Sequence, residues 1–266
     1  MTPRDATFYR DRWGIRCLFR LCLPFLLLVP AGCSLAPPKP RPLVTEAQLW
    51  QSLAVQQQGF FALRGMAKIR IDNETGSQRS TQVVLAQKPD RFRAEVLSMF
   101  GQPLLSVVCN GELLAVSIPT RRQFYQGVPS AENLQRFTRV PLAATDLVQL
   151  LLHQVPLIDF CQSHAEPGPG LVLERADGVR QRLDFDRDLR LVGASYFDQD
   201  NNLWMSVTYA DFLPGPEMVP RRVEIALPLQ QLDALVELSE LEVNPVLSAD
   251  KFRLPVPAGS VVQPLP

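Results

Sequence analysis

The chain has 266 residues, and its 27 basic residues balance 27 acidic ones. This balance excludes the strongly basic composition that is typical of nucleic-acid-binding domains, so no nucleic-acid partner is predicted. A chain of this length suits one domain with a sizeable hydrophobic core.

The first 32 residues are predicted to be an export signal peptide rather than a membrane span. Five arginines precede an apolar run of only nine residues, 21–29, whereas a transmembrane helix needs about 20 apolar residues. A basic leader, a short apolar core and small residues at the end are typical of a secretory signal that is removed.

Cys33 ends this segment after two small residues. The sequence Ala31-Gly32-Cys33 resembles the lipobox of bacterial lipoproteins, in which the Cys receives a diacylglyceryl group and becomes the new N-terminus, although Pro30 stands where that motif normally has an apolar residue. The alternative is an ordinary signal cleavage beside an incidental Cys. Ser34, directly after Cys33, resembles the sorting signal that directs Gram-negative lipoproteins to the outer membrane. The resemblance implies a lipid anchor on Cys33 and a position on the periplasmic face of the outer membrane.

Residues 33–44 are predicted to be the acylated Cys and a tether, because four prolines between positions 34 and 42 favour an extended, semi-rigid segment. A folded domain is predicted over residues 45–266. It begins with a helix, since Thr45 and Gln48 form a capping-box signature and an amphipathic pattern continues to Gly59.

The pattern then changes to that of strands. Residues 66–72 alternate apolar and polar residues, residues 80–87 return after a turn, and residues 91–98 place Phe92, Ala94 and Val96 on one face. The alternation predicts a sheet with one wet and one buried face.

The next hairpin, residues 103–119, turns at Asn110-Gly111, which is a strong hairpin signal. Its strands are apolar on both faces, with Leu104 and Val108 on the face opposite to that of Leu105. We therefore expect both faces of this hairpin to be covered.

A helical insertion separates two groups of strands. Ser130 is predicted to cap a short helix through Phe137, and residues 141–154 predict a second, strongly apolar helix. Six strands follow, over residues 171–175, 180–185, 190–197, 203–212, 221–227 and 235–244. Short strands joined by hairpin turns favour one large antiparallel sheet, which must curl. The predicted fold is mainly β (α+β), an unclosed antiparallel half-barrel of about eleven strands with a helical lid over its concave face.

No catalytic constellation is recognised in the sequence. The motifs HExxH, GxSxG, CxxC and a glycine-rich phosphate loop are missing, so no enzymatic activity, no metal site and no cofactor is predicted. His153 lies near the end of a predicted helix, where a favourable interaction with the helix dipole explains its presence. His164 is predicted to lie in a loop. Cys109 and Cys161 could pair in an oxidising compartment, or Cys109 is a small buried thiol, and both alternatives stay open.

Several of these features occur in a distinctive order. A lipobox, a Pro-rich tether and an opening helix precede LRGMAKIRID…KPDRFRAEVLSMFGQPLLSVVCNGELLAVSIPTRRQFYQG, the helical insert 130–154 and the closing VNPVLSADKFRLPVPAGSVVQPL (243–265). This order resembles the LolA/LolB superfamily of periplasmic lipoprotein carriers and receptors, especially LolB-like outer-membrane lipoproteins, over nearly the whole mature chain. The resemblance implies an unclosed β-barrel with a helical lid and an apolar cavity that shelters the acyl chains of lipids or lipoproteins. A periplasmic carrier protein is a further candidate partner.

The cavity is predicted to be lined by apolar side chains of the sheet and of the lid. One strand parity is assumed, because a register error of one residue would exchange the two faces. The predicted lining residues are Phe92, Val96, Leu105, Val107, Leu114 and Val116 from strands, and Leu147, Leu151 and Leu152 from the lid.

The resemblance also implies a membrane-insertion loop. In LolB-like proteins the loop after the third strand carries an exposed apolar residue just before a Gly, and this residue aids insertion into the membrane. The matching positions are Met99 and Phe100 before Gly101, although a Met-Phe pair is not the usual occupant. The alternative is that Phe100 folds back into the core.

The sequence thus predicts a non-enzymatic, outer-membrane-anchored lipoprotein that binds acyl chains or lipoproteins and helps to localise or insert them in the outer membrane. The alternative is a structural or scaffold lipoprotein of the same fold that binds protein partners and fills its cavity with its own side chains. A lipid-modifying enzyme is disfavoured by the missing catalytic constellation.

Overall fold

The computed structural model describes residues 44–214 and 219–266. The predicted signal peptide, Cys33 and all but the last residue of the tether lie outside them. No helix within these two ranges is long and apolar enough to cross a membrane. The helices are α1 (Glu46–Gly59), α2 (Ala131–Thr138) and α3 (Ala144–Leu151). The strands are β1 (Ala62–Asn73), β2 (Gly76–Gln87), β3 (Arg91–Leu97), β4 (Pro103–Asn110), β5 (Leu114–Ile118), β6 (Gln123–Gly127), β7 (Gln162–Glu166), β8 (Gly170–Glu174), β9 (Arg180–Phe185), β10 (Leu191–Phe197), β11 (Leu203–Phe212), β12 (Pro220–Leu227), β13 (Leu232–Val243) and β14 (Val261–Pro264).

All the described strands belong to one sheet. Their order is β14-β6-β5-β4-β3-β2-β1-β13-β12-β11-β10-β9-β8-β7, so β14 and β7 are its two edges and the sheet does not close. Every neighbouring pair is antiparallel except β14 with β6. The predicted fold class, an open curved sheet with helices, is confirmed, and the described sheet has fourteen strands rather than eleven.

The three strands that the sequence did not reveal, β6, β7 and β14, lie at or next to an edge. They are four or five residues long and lack an apolar alternation, because an edge strand is buried less completely than a central one. His164 consequently lies in β7 opposite Val172, not in a loop. The second helix of the insert is also shorter than predicted, since it ends at Leu151 and His153 has a left-handed backbone with φ 55°.

The opening helix α1 begins at the predicted capping box. Thr45 Oγ1 accepts a hydrogen bond from the Gln48 N–H at 3.3 Å, and the Gln48 side-chain oxygen accepts one from the Thr45 N–H at 2.9 Å. Leu49 and Leu53, one turn apart, are buried. The helix packs on β7 and β8, so it covers the C-terminal half of the sheet.

A second, smaller layer covers the outer face of the N-terminal half. Phe252, in the 3-10 turn Ala249–Phe252 after β13, forms a buried cluster with Leu85 of β2 and Val108 of β4. This is the outer cover that the doubly apolar hairpin predicted. It does not reach Leu104, which is 41% exposed.

The C-terminal strand β14 is held by close backbone approach. The Leu265 N–H donates a hydrogen bond to the Gln126 carbonyl at 2.8 Å, and a Cβ added to Gly127 would lie 2.6 Å from Leu265 Cβ. A glycine at position 127 therefore lets the last residues lie against β6.

Candidate functional site: an apolar cavity with a basic rim

The concave face of the sheet and the segment that carries α2 and α3 enclose a cavity of about 680 Å³. This volume falls in the range of about 300–1,000 Å³ that small-molecule sites occupy. Most of the lining is apolar. The apolar residues are Ile69, Ile71, Val84, Phe92, Ala94, Val96, Leu105, Val107, Ile118, Val223, Ile225, Ala234 and Val236 of the sheet, and Phe137, Val140, Leu147, Leu150 and Leu151 of the cover.

The strand register brings these wall residues to one face. Val84 of β2 lies opposite Ala94 of β3, and Ala94 lies opposite Val107 of β4. Val96 lies opposite Leu105 in the same ladder. Since side chains in a strand alternate between faces, all of these point into the cavity. The parity is the one that the sequence analysis assumed.

The cover consists of the end of α2, of α3 and of the chain between them. Ser130 Oγ accepts a hydrogen bond from the Asn133 N–H at 3.1 Å and caps α2. In the last turn of α2, the Phe137 ring lies 5.3 Å from that of Tyr125 on β6. α3 packs on β2 and β3, and Leu147 and Leu151, four residues apart on one helix face, close the cavity from above.

One wall of the cavity carries a polar stripe. Gln78, Ser80 and Gln82 of β2 line it, and Gln82 Nε2 donates a hydrogen bond to Ser80 Oγ at 2.9 Å. These amide and hydroxyl groups give an otherwise apolar wall a set of hydrogen-bonding positions.

The rim of the cavity is basic. Arg121 lies at the turn between β5 and β6, and Arg136 and Arg139 lie around the end of α2. Arg136 and Arg139 also border a more polar surface depression of about 700 Å³, which Glu74 and Glu132 line as well.

Six of the nine predicted lining residues border the cavity: Phe92, Val96, Leu105, Val107, Leu147 and Leu151. Leu114, Val116 and Leu152 do not, and each is almost wholly buried in the main core. Leu114 and Val116 share the face of Val107, but both side chains are fully buried in the main core and not at the cavity wall. The polar stripe and the arginines were not predicted, because isolated polar residues form no periodic pattern in the sequence.

The turn between β3 and β4 presents two large apolar side chains to solvent. Met99 is 90% exposed and Phe100 is 82% exposed. Ser98 Oγ accepts hydrogen bonds from the N–H groups of Phe100 and Gln102, at 3.2 and 3.1 Å, and Gly101 has the left-handed φ of 76° that the turn requires. The structure therefore does not fold Phe100 back into the core.

This turn lies at the same end of the strands as the basic rim. In a chain of antiparallel hairpins, alternate turns fall at the same end of the strands, so the turns β1–β2, β3–β4 and β5–β6 lie together. Arg121 belongs to the last of these turns and lines the cavity. The cavity thus extends to the end of the strands at which Met99 and Phe100 project into solvent.

The C-terminal half of the concave face is filled by the chain itself. Gln154 Nε2 donates hydrogen bonds to the Gln57 and Phe60 carbonyls at 3.0 and 3.1 Å, and the Tyr209 hydroxyl donates to the Gln154 carbonyl at 2.7 Å. Gln181, fully buried on β9, donates to the Pro156 carbonyl at 2.9 Å. These bonds fix the segment after α3 over the sheet, so the cavity is confined to the N-terminal half and β12–β13.

Burial shifts the pKa values of three titratable groups in the core. Burial lowers the pKa of His153 to about 4 and raises the pKa of Tyr209 well above its ordinary value. Burial also raises the pKa of the Cys109 thiol. Cys109 is buried, Cys161 is exposed, and both are free thiols. Within the described ranges, no group of three or more His, Cys, Asp or Glu side chains is placed to hold a metal ion.

Neither a family model nor a curated protein sequence matches the chain significantly. Solved structures do match. A domain that carries the name of an outer membrane lipoprotein-sorting protein, from Vibrio parahaemolyticus, is 12% identical, covers 77% of this chain and 94% of its own, and has a TM-score of 0.52. A LolA superfamily protein from Nitrosomonas europaea is 14% identical, with coverage of 79% and 98% and a TM-score of 0.52.

A DUF1329 family protein from Desulfovibrio piger is similar to the same degree, at 12% identity, coverage of 78% and 96%, and a TM-score of 0.53. At such low identity the likeness concerns the fold alone. Together with the open, curved sheet and its helices, it gives this chain a LolA/LolB-like fold.

Proposed function

We propose that the protein is a non-enzymatic lipoprotein that binds the acyl chains of lipids or of other lipoproteins. The single observation that supports this most is the apolar cavity of about 680 Å³ between the sheet and its helical cover. Each methylene group that leaves water contributes about 0.8 kcal/mol, so an acyl chain crosses an aqueous compartment at low cost only inside such a shelter.

The proposal extends to where the protein acts and how it releases its ligand. The diacylglyceryl group on Cys33 anchors it to the periplasmic face of the outer membrane, and a periplasmic carrier delivers the client. Met99 and Phe100 insert into the lipid, because two exposed large apolar side chains at a turn tip form a patch suited to a membrane. The cavity opening and these residues lie at the same end of the strands, which shortens the path of an acyl chain from the cavity to the bilayer.

The ligand is tested by blocking the cavity. The full-length chain with Cys33→Ser, which carries no lipid anchor of its own, is purified and its bound lipid is extracted and identified by mass spectrometry. We expect a stoichiometric acyl-chain compound, and we expect Ala94→Trp to exclude it because Ala94 lies in the cavity wall. Thr81→Trp is the matched control, since Thr81 is exposed on the other face of the sheet.

Extraction that finds no acyl compound in any of the three proteins contradicts the proposal and favours the scaffold alternative. Thermal unfolding of both tryptophan variants shows whether the loss of ligand is separate from a loss of fold.

The insertion loop has its own test. Phe100→Glu should abolish flotation of the protein with lipid vesicles, whereas Gln102→Glu adds the same charge to the same exposed turn and should weaken it far less. Equal flotation of both variants contradicts a role for Phe100 in membrane contact.

A further inference from the structure

The charged side chains that border the cavity are all basic. Arg79, Arg121, Arg136 and Arg139 are among its lining residues, and no Asp or Glu is among those that the structure describes. The chain as a whole has no such bias, because it carries 27 basic and 27 acidic residues. The sign of the charge at this opening is therefore a local property.

These arginines are not equivalent. Arg79 lies next to Ser80, which faces the cavity, so strand alternation directs the Arg79 side chain to the opposite face. Arg136 lies 3.7 Å from Glu132 in an exposed i,i+4 pair. Arg121 and Arg139 take part in no ion pair and in no side-chain hydrogen bond with another described residue, which leaves both guanidinium groups available to a ligand.

The two arginines approach the opening from different parts of the fold. Arg121 belongs to the 3-10 turn that joins β5 to β6 in the sheet, and Arg139 ends α2 in the cover with a left-handed φ of 67°. A ligand group at the opening would thus meet one cation from each side. Guanidinium groups bind carboxylate and phosphate oxygens in a planar, two-bonded geometry.

Apolar walls below a cationic rim define the chemical class of the ligand. A chain of methylene groups fits the lining of Val, Ile, Leu and Phe. A negatively charged group at the opening pairs with the arginines of the rim. Gln78 and Ser80, on the stripe of β2 between rim and wall, offer hydrogen bonds to polar atoms at the junction of headgroup and chain.

We infer that the cavity selects acyl-chain amphiphiles with an anionic headgroup, a phosphate or a carboxylate, which Arg121 and Arg139 bind at the opening. This inference rests on the proposed function and adds a headgroup preference to it.

The test compares ligands that share one chain and differ in charge. Dodecyl phosphate, dodecanol and inorganic phosphate are titrated calorimetrically, below the micelle-forming concentration, into the full-length chain with Cys33→Ser. We expect dodecyl phosphate to bind more tightly than dodecanol by roughly 2- to 30-fold, the range that two exposed ion pairs give. The difference should shrink as the salt concentration rises.

The matched variants separate the rim from overall charge. Arg121→Gln with Arg139→Gln should remove the preference, so that dodecyl phosphate and dodecanol bind this variant with similar affinity. Lys68→Gln with Lys251→Gln removes the same charge from exposed positions outside the cavity, and should keep the preference.

The outcomes distinguish the two proposals. If neither dodecyl compound binds, the proposed function itself fails. If dodecanol binds as tightly as dodecyl phosphate, or if the arginine variant keeps the preference, the headgroup inference fails and acyl binding stands. If inorganic phosphate competes at the concentration at which dodecyl phosphate binds, the rim is a site for free anions and the inference fails.

Discussion

Acidification from pH 7 to pH 4 should weaken the fold through one buried side chain, His153. Its Nε2 lies 2.7 Å from the Leu191 carbonyl oxygen, so this nitrogen carries the proton of the neutral ring and donates it. The ring packs edge-on against Tyr209 at 4.7 Å. Burial is the main cause that lowers the pKa of His153 to about 4, and nearby Arg190 acts in the same direction. The Leu191 carbonyl and Asp186 oppose them.

The sign and size of the effect follow from linkage. An unfolded His has a pKa of 6.5 and the folded one about 4, so the unfolded state binds the proton more readily throughout this interval. The stabilisation is fully present above pH 6.5 and is lost as the pH falls towards 4. The difference between the two pKa values, at about 1.4 kcal/mol per pH unit, corresponds to about 3 kcal/mol of lost free energy of unfolding at pH 4.

The assay is urea denaturation between pH 7 and pH 4, on the wild-type protein and on His153→Gln and His153→Phe. Gln keeps an amide donor for the Leu191 carbonyl, and Phe keeps the ring packing, so two variants guard against a failure to fold. Carboxylates elsewhere titrate equally in all three proteins. The wild-type protein should therefore lose about 3 kcal/mol more than the variants over this interval. Parallel curves for all three would refute the assignment of the effect to His153.

Three further predictions concern the layers around the site. Phe252→Ala should lower the free energy of unfolding by about 3–5 kcal/mol, because Phe252 is 2% exposed in the outer cluster; a loss of less than about 1 kcal/mol would show that this segment is not firmly packed. A thiol reagent should modify exposed Cys161 at neutral pH and reach Cys109 only after unfolding, since burial shields Cys109 and raises the pKa of its thiol; mass spectrometry that finds equal labelling, or a disulfide, contradicts this. Gly127→Ala should destabilise the protein by about 1–3 kcal/mol, whereas Gly59→Ala, where the added Cβ meets nothing within 4 Å, should cost no stability; equal melting temperatures would contradict the tight packing of β14.

The sequence predicted those elements whose own residues carry the burial pattern. α1 is recognisable because Thr45 and Gln48 satisfy the free groups of its first turn locally. β9 and β11 have their predicted bounds, because alternating burial and hairpin turns are properties of one short segment. β6, β7 and β14 are different, since each is short and each owes its place in the sheet to a partner strand rather than to its own composition.

The same distinction explains the site. Phe92 and Val107 could be named as lining residues, because strand alternation puts such residues on one face of the sheet and that face was assumed to be the concave one. Which part of that face stays open could not be read from the sequence. It depends on how the helical segment packs on the sheet: Leu105 lines the cavity, whereas Leu114 is fully buried in the core. Arg121 and Arg139 are exposed and lie far from Phe92 in sequence. Only the folded structure brings them to the same cavity as Phe92.

The basic rim and the turn that carries Met99 and Phe100 lie at the same end of the strands because of the strand count. Two hairpin turns separated by two antiparallel strands must fall on the same side of a sheet, so the turn after β3 and the turn after β5 point the same way. Once β6 is recognised, Arg121 is a turn residue at the same end of the strands as Phe100. Without β6, Arg121 belongs to a polar segment that has no assigned place in the sheet. Under the proposed function, an acyl chain that left the cavity parallel to β3 and β4 would pass the basic rim and emerge beside Met99 and Phe100.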